Sequence, residues 1–272
     1  MPESAVLDQI EFDLEERSST AVARAARKVI DLGLTDLAPQ LLKALSRWLR
    51  EPAKNDPGCR ARTLLMSALL QQEHRDPDIY LQALALPSAR TVKTGRAAKA
   101  SPSGNDGTGE LRGLAAMGLA GSHYEHAADF AVDLLVDPDP TVRVFAVRAL
   151  TIRRESAAIR LLALGEQAPS VLGECLESLL QLEGGRVVGF VADYLHKSPE
   201  IAEIAALALG SSRRAEAFAP LRAEWGTLFD RRTLLVAMAT LRSPEAVEFL
   251  ERFVRTQAER EDLDTLRPFG FG

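Results

Sequence analysis

The chain has 272 residues, 46% of them hydrophobic, with 33 basic and 38 acidic side chains, a formal net charge of -5 and two cysteines. This excludes a disordered polyampholyte, which needs low hydrophobicity and high net charge, and a disulfide-stapled scaffold, which needs more than Cys59 and Cys175. No run of about 18 apolar residues offers a membrane span, the acidic N-terminal stretch lacks the apolar core of a signal peptide, and the negative charge disfavours general nucleic-acid binding. The expected compartment is a reducing cytoplasm. In chain order, the first element is a capping helix within residues 1–18. Val6, Ile10 and Leu14 stand at i, i+4 and i+8, with Glu3, Asp8, Glu11, Asp13, Glu15 and Glu16 around them.

From Ser19 onward the chain repeats itself. A template of small residue, two variable residues, small residue and leucine recurs as Ala115-x-x-Gly118-Leu119, Ala146-x-x-Ala149-Leu150, Cys175-x-x-Ser178-Leu179, Ala205-x-x-Ala208-Leu209 and Ala237-x-x-Thr240-Leu241. The anchoring leucines are 31, 29, 30 and 32 residues apart. Two degenerate copies, Ala26-x-x-Val29-Ile30 and Leu65-x-x-Ala68-Leu69, keep the period once two excesses are removed. These are the 8 residues of Arg50 to Pro57 and the 20 of Ser88 to Gly107. That makes seven units. Small residues one turn apart let a neighbouring helix approach closely, and the leucine fills the remaining gap.

Each template helix is opened by punctuation. Pro140, Pro169 and Pro199 suit the first helical turn, and Asp139, Ser198 and Asp230 hold the capping position, with Ala168 the weak member of that set. Turn residues then break each period at Gly121, Gly165, Gly184-Gly185 and Ser211-Ser212. A second helix is expected after each break: Leu37–Leu49, Asp78–Leu86, Tyr124–Val136, Ser156–Leu164, Arg186–Leu195, Ala215–Leu228 and Ala246–Thr256. No stretch shows sustained two-residue alternation, so strands are not expected. Pairs this short cannot bury their apolar faces alone and must stack, which makes the fold an all-α solenoid over residues 19–256, followed by a tail over 257–272.

The segment DPDPTVRVFAVRAL, through Asp139, Val142-Arg143, Ala146 and Ala149-Leu150, resembles the HEAT repeat, specifically the short bacterial HEAT-like type also found in phycobilin lyase subunits. Leu111-Arg112, Ala115 and Gly118-Leu119 are similar to it as well. The resemblance covers about Ser19 to Thr256, strongly after Thr108. It implies a right-handed α-solenoid of about seven helix pairs with terminal caps. Such repeats serve scaffolds, regulators, lyases and a few DNA-repair enzymes, so function must be read from sites.

Four regions could carry binding. Seven residues before the anchor, three units place Arg62, Arg112 and Arg143, and an arginine line along stacked helices suits phosphates or carboxylates. In the repeat type that the chain resembles, arginine there often makes structural bonds between units, which is the competing reading. The insertion at 88–107 carries Arg90, Lys93, Arg96 and Lys99 with no acidic residue among them. The tail ends with Phe269 and Phe271 between glycines, either folded back or offered as a docking peptide. Residues 20–100 hold 14 basic and 7 acidic side chains, whereas 101–272 hold 18 and 25, a polarity suited to a partner with its own charge pattern.

Motifs for catalysis are missing from the sequence. It lacks a G-x-S-x-G elbow, a phosphate-binding loop and an H-E-x-x-H pair. Cys175 falls on a core position, Cys59 sits near a helix start, and His123 with His126 is a weak metal pattern. No His-Glu dipeptide of the HEAT-like di-iron hydroxylases occurs, and Trp48 and Trp225 lie too far apart for the aromatic-bearing basic face of a HEAT-like glycosylase. The expected function is a non-enzymatic adaptor or regulator without cofactor or metal, its partner an unidentified protein, an acidic one among the options. The alternatives are an accessory lyase or enzyme acting on a tetrapyrrole or nucleic acid, or a phosphate-backbone binder using the arginine line.

Overall fold

Prolines and short polar side chains decide where the helices begin. In the computed structural model, which describes residues 2–51, 53–86, 107–227 and 229–256, Ser18 accepts from Ala21 N, Asp76 from Asp78 N, Asp139 from Thr141 N and Asp230 from Thr233 N. Each satisfies an amide that the first helical turn leaves without a partner. Ser198 occupies the capping position but makes no such bond. Ala168 likewise makes no such bond, and Glu166 Oε1 accepts from the amides of Gln167 and Ala168 in the turn just before the helix.

Helix covers 79% of the described residues and no strand occurs among them, so the all-α expectation holds. The chain divides into two compact units, Met1–Arg153 and Arg154–Gly272, a division absent from the sequence reading. The first unit contains α1 (Pro2–Glu15), α2 (Ser19–Asp31), α3 (Ala38–Arg50), α4 (Arg60–Gln71), α5 (Pro77–Leu84), α6 (Thr108–Gly121), α7 (Ala127–Leu134) and α8 (Pro140–Arg153). Here α2, α4, α6 and α8 pack in succession, α1 lies against α2 and α3, and α3, α5 and α7 flank the series.

The second unit contains α9 (Ser156–Gly165), α10 (Pro169–Glu183), α11 (Val188–Ala192), α12 (Pro199–Ser211), α13 (Phe218–Ala223), α14 (Arg231–Leu241) and α15 (Pro244–Thr256). Within it α10, α12 and α14 pack in succession, with α9 against α10, α11 against α12, and both α13 and α15 against α14. In the first unit α7 covers only Ala127–Leu134 of the expected Tyr124–Val136, and here two further expected helices are shorter than the periodicity suggests. The stretch from Gly184 to His196 is a single α-helical turn between two 3-10 turns, because Gly184 sits at φ 65° and the polypeptide enters the element in a non-helical conformation. The other starts late: Pro220 lacks the amide that would bond back to Glu216, so Ala215–Ala217 is a 3-10 turn and the α-helix begins at Phe218.

The repeated template is the core. All its small and leucine positions are buried except Ile30 and Thr240, which are half-buried. The small residues admit neighbours, as the close helix approach requires: a methyl group on Gly118 would overlap the Tyr80 ring, and one on Gly210 would meet the Ala237 backbone. Tyr80 is itself fixed by donating to the His74 carbonyl at 2.6 Å, and burial beside Asp76 pushes its phenol up to about 12. On α1 the buried apolar residues are Ile10 and Leu14, while Val6 is exposed, so the cap rests on its C-terminal half.

Candidate binding surfaces

The arginine line is a set of internal ties. Arg62 is 3% exposed, and its Nε and Nη2 donate to the carbonyls of Trp48 at 2.8 Å and Glu51 at 2.7 Å. Those carbonyls stand at the end of α3, where the helix leaves its last acceptors open, so Arg62 finishes α3 from the side of α4. Asp56, also buried, accepts from the amides of Ala61 and Arg62 and lies 3.9 Å from Arg62 Nε. Arg112 Nη2 donates to Asp137 Oδ2 at 2.9 Å, and Arg143 Nη1 donates to the carbonyls of Asp137 at 2.8 Å and Pro138 at 3.3 Å. These two hold the turn between α7 and α8 against α6 and α8. The reading of Arg62, Arg112 and Arg143 as a ligand-facing row is therefore corrected: each guanidinium group bonds a carbonyl or a carboxylate inside the first unit, with Arg112 Nε buried beside its bonded Nη2. Arg90, Lys93, Arg96, Lys99, Phe269 and Phe271 lie outside the described residues.

A basic groove that the register did not point to lies between α2 and α4. It encloses about 420 Å³, with the exposed side chains of Arg24, Arg27 and Arg60 at its walls and Ala23 and Leu64 along its floor. Arg24 faces Asp13 of α1 at 3.5 Å, whereas Arg27 and Arg60 have no acidic partner among the described residues. The one carboxylate lining the groove, Asp56, is already committed to the start of α4.

The second unit has an open pocket of about 970 Å³ where α12 and α14 begin, with the opposite balance of charge. Glu200, Glu203, Glu224 and Asp230 line it against His196 and Lys197. Glu224 is buried and accepts from the Thr227 hydroxyl at 3.2 Å, with His196 Nδ1 3.6 Å from its other oxygen. The Asp230 carboxyl is held below the usual carboxylate range by the Thr233 hydroxyl and by backbone amides. Its Oδ2 is thus engaged in capping α14.

The helices flanking each series differ from those within it. On α9, Ile159 and Ala163 are buried, while Leu161 and Leu164 are 73% and 67% exposed. The other sequence candidates have ordinary structural roles. Cys175 is buried in the core, Cys59 is buried at the start of α4 with Arg62 Nη1 3.6 Å from its sulfur, and His126 pairs with Asp129 at 3.3 Å on the surface. Among the described residues, no three His, Cys, Asp or Glu side chains gather as a metal would require. No helix is long and apolar enough to cross a membrane. No family model matches the sequence, and no curated protein matches it.

Proposed function

We propose that the chain is a HEAT-like α-solenoid of seven helix pairs that acts as a non-enzymatic adaptor or regulator, holding a protein partner on its helical surface. In chain order the template residues sit on α2, α4, α6, α8, α10, α12 and α14, and each of these helices is followed by one without the template. The observation that carries the function is the division of labour between members. α4, α6, α10 and α12 bury residues around much of their circumference, whereas α9 holds Leu161 and Leu164 in water, nearly one turn apart. Covering such a leucine is worth about 2 kcal/mol, and two on one face give a partner an apolar anchor.

The test is a pull-down from nuclease-treated native lysate with mass spectrometry, comparing wild type with Leu161→Asp/Leu164→Asp. Both side chains point to solvent, so helical content and melting should be unchanged, and this is checked first. One protein recovered near stoichiometrically with the wild type and lost with the variant is expected. Failure to recover any protein with the wild type would overturn the adaptor reading. Retention of the partner by the variant would overturn the placement of its anchor on α9.

A further inference from the structure

We propose that the groove between α2 and α4 is a docking site for an acidic peptide segment, whose carboxylates are taken by Arg24, Arg27 and Arg60. The inference rests on the adaptor reading and names the chemistry of the partner. Three guanidinium groups surround one groove, and its single carboxylate, Asp56, is withdrawn from solvent by two backbone amides and Arg62. The unbalanced charge of the groove is therefore positive. Arg27 and Arg60 are exposed and lack acidic partners among the described residues, so a ligand carboxylate meets them without breaking an ion pair. Planar guanidinium groups bind carboxylates bidentately, which rewards an Asp or Glu side chain placed between them.

The shape of the groove argues for a peptide over a polynucleotide. Ala23 and Leu64 give it an apolar floor, which suits the methylenes of acidic side chains or an intervening apolar residue. Its volume of about 420 Å³ accommodates a few side chains.

The test is fluorescence anisotropy of the full chain with a labelled decapeptide of alternating Glu and Leu, beside a Lys-Leu decapeptide and a single-stranded oligothymidylate. Arg27→Glu/Arg60→Glu is the disabling variant and Arg27→Lys/Arg60→Lys the conservative one; melting is measured for both. Saturable binding of the acidic peptide by the wild type is expected, weakened at least tenfold in the glutamate variant and largely kept in the lysine variant. Absent binding, equal binding by the glutamate variant, or tighter binding of the oligothymidylate would overturn the proposal. The glutamate variant is also carried through the lysate pull-down. A partner still recovered there, with the acidic peptide unbound, removes this groove and leaves the adaptor reading standing; loss of the partner supports the groove.

Discussion

The two units solve the same packing position in opposite ways. In the first, the residue two turns before the anchor is Arg62, Arg112 or Arg143 on α4, α6 and α8, with Ala23 in its place on α2, and the three arginines tie their seams by reaching carbonyls and a carboxylate. In the second, that position is Leu172, Ala202 or Leu234, all buried and filled by apolar side chains, and charge ties the unit elsewhere, as where Arg160 of α9 meets Glu183 of α10 at 2.7 Å. An arginine seam depends on each donor meeting its acceptor, since a buried partner left alone costs more than the pair gains. A leucine seam depends on volume. One helix-on-helix geometry thus accepts either chemistry, with different sensitivities to substitution.

That contrast is sharpest at Arg62. Arg62→Ala strips a donor from the Glu51 carbonyl and one of two from the Trp48 carbonyl, leaves the buried Asp56 without its cation, and is expected to cost about 4 kcal/mol in urea-induced unfolding. Leu234→Ala, at the equivalent place in the second unit, leaves only a cavity and is expected to cost about 3 kcal/mol. If the two losses came out reversed, the polar seam would be an ornament on an apolar one.

Smaller effects separate the units further. Asp230→Ala removes the cap of α14, at a cost of about 1 kcal/mol near neutral pH. Because this carboxyl titrates below its ordinary value, its contribution is present above the unfolded-state pKa and lost as pH falls through the folded one. Wild type and variant should therefore converge in acid. Tyr80→Phe in the first unit is the mildest at neutral pH, losing one hydrogen bond to His74. Its signature lies in alkali. The unfolded phenol ionises near its ordinary value of 10.0 while the folded one holds its proton to about 12, so wild-type stability falls as pH rises through that window. The variant lacks that component of the fall, which pH-dependent thermal melting can read.

Helices were legible in the sequence because their starts depend on local chemistry, proline and cap, and their core faces on a recurring spacing. The misread site has an equally local cause. Seven residues are nearly two full helical turns, so an arginine seven places before a buried leucine lies on the buried face with it. Arg62 and Leu69 share a face, as do Arg112 with Leu119 and Arg143 with Leu150. Arg60, two residues earlier, lies about 200° around the helix and reaches solvent. The angle to the anchor, read along with the register, was the signal that pointed to it. What the spacing could not supply is the pairing of Arg60 with Arg24 and Arg27, because that depends on how α2 is laid against α4.

The crossing of Gly107 and Gly58 has a bearing on how this chain tolerates change. Both take positive φ, and a methyl group on Gly107 would overlap the Gly58 carbonyl, so the strand of backbone entering α6 lies directly on the turn that precedes α4. That contact brings the start of α6 against the turn before α4, main chain on main chain. Any side chain at Gly107 would therefore push the start of α6 off that turn, so the seam of α4 against α6 depends on this one position staying glycine.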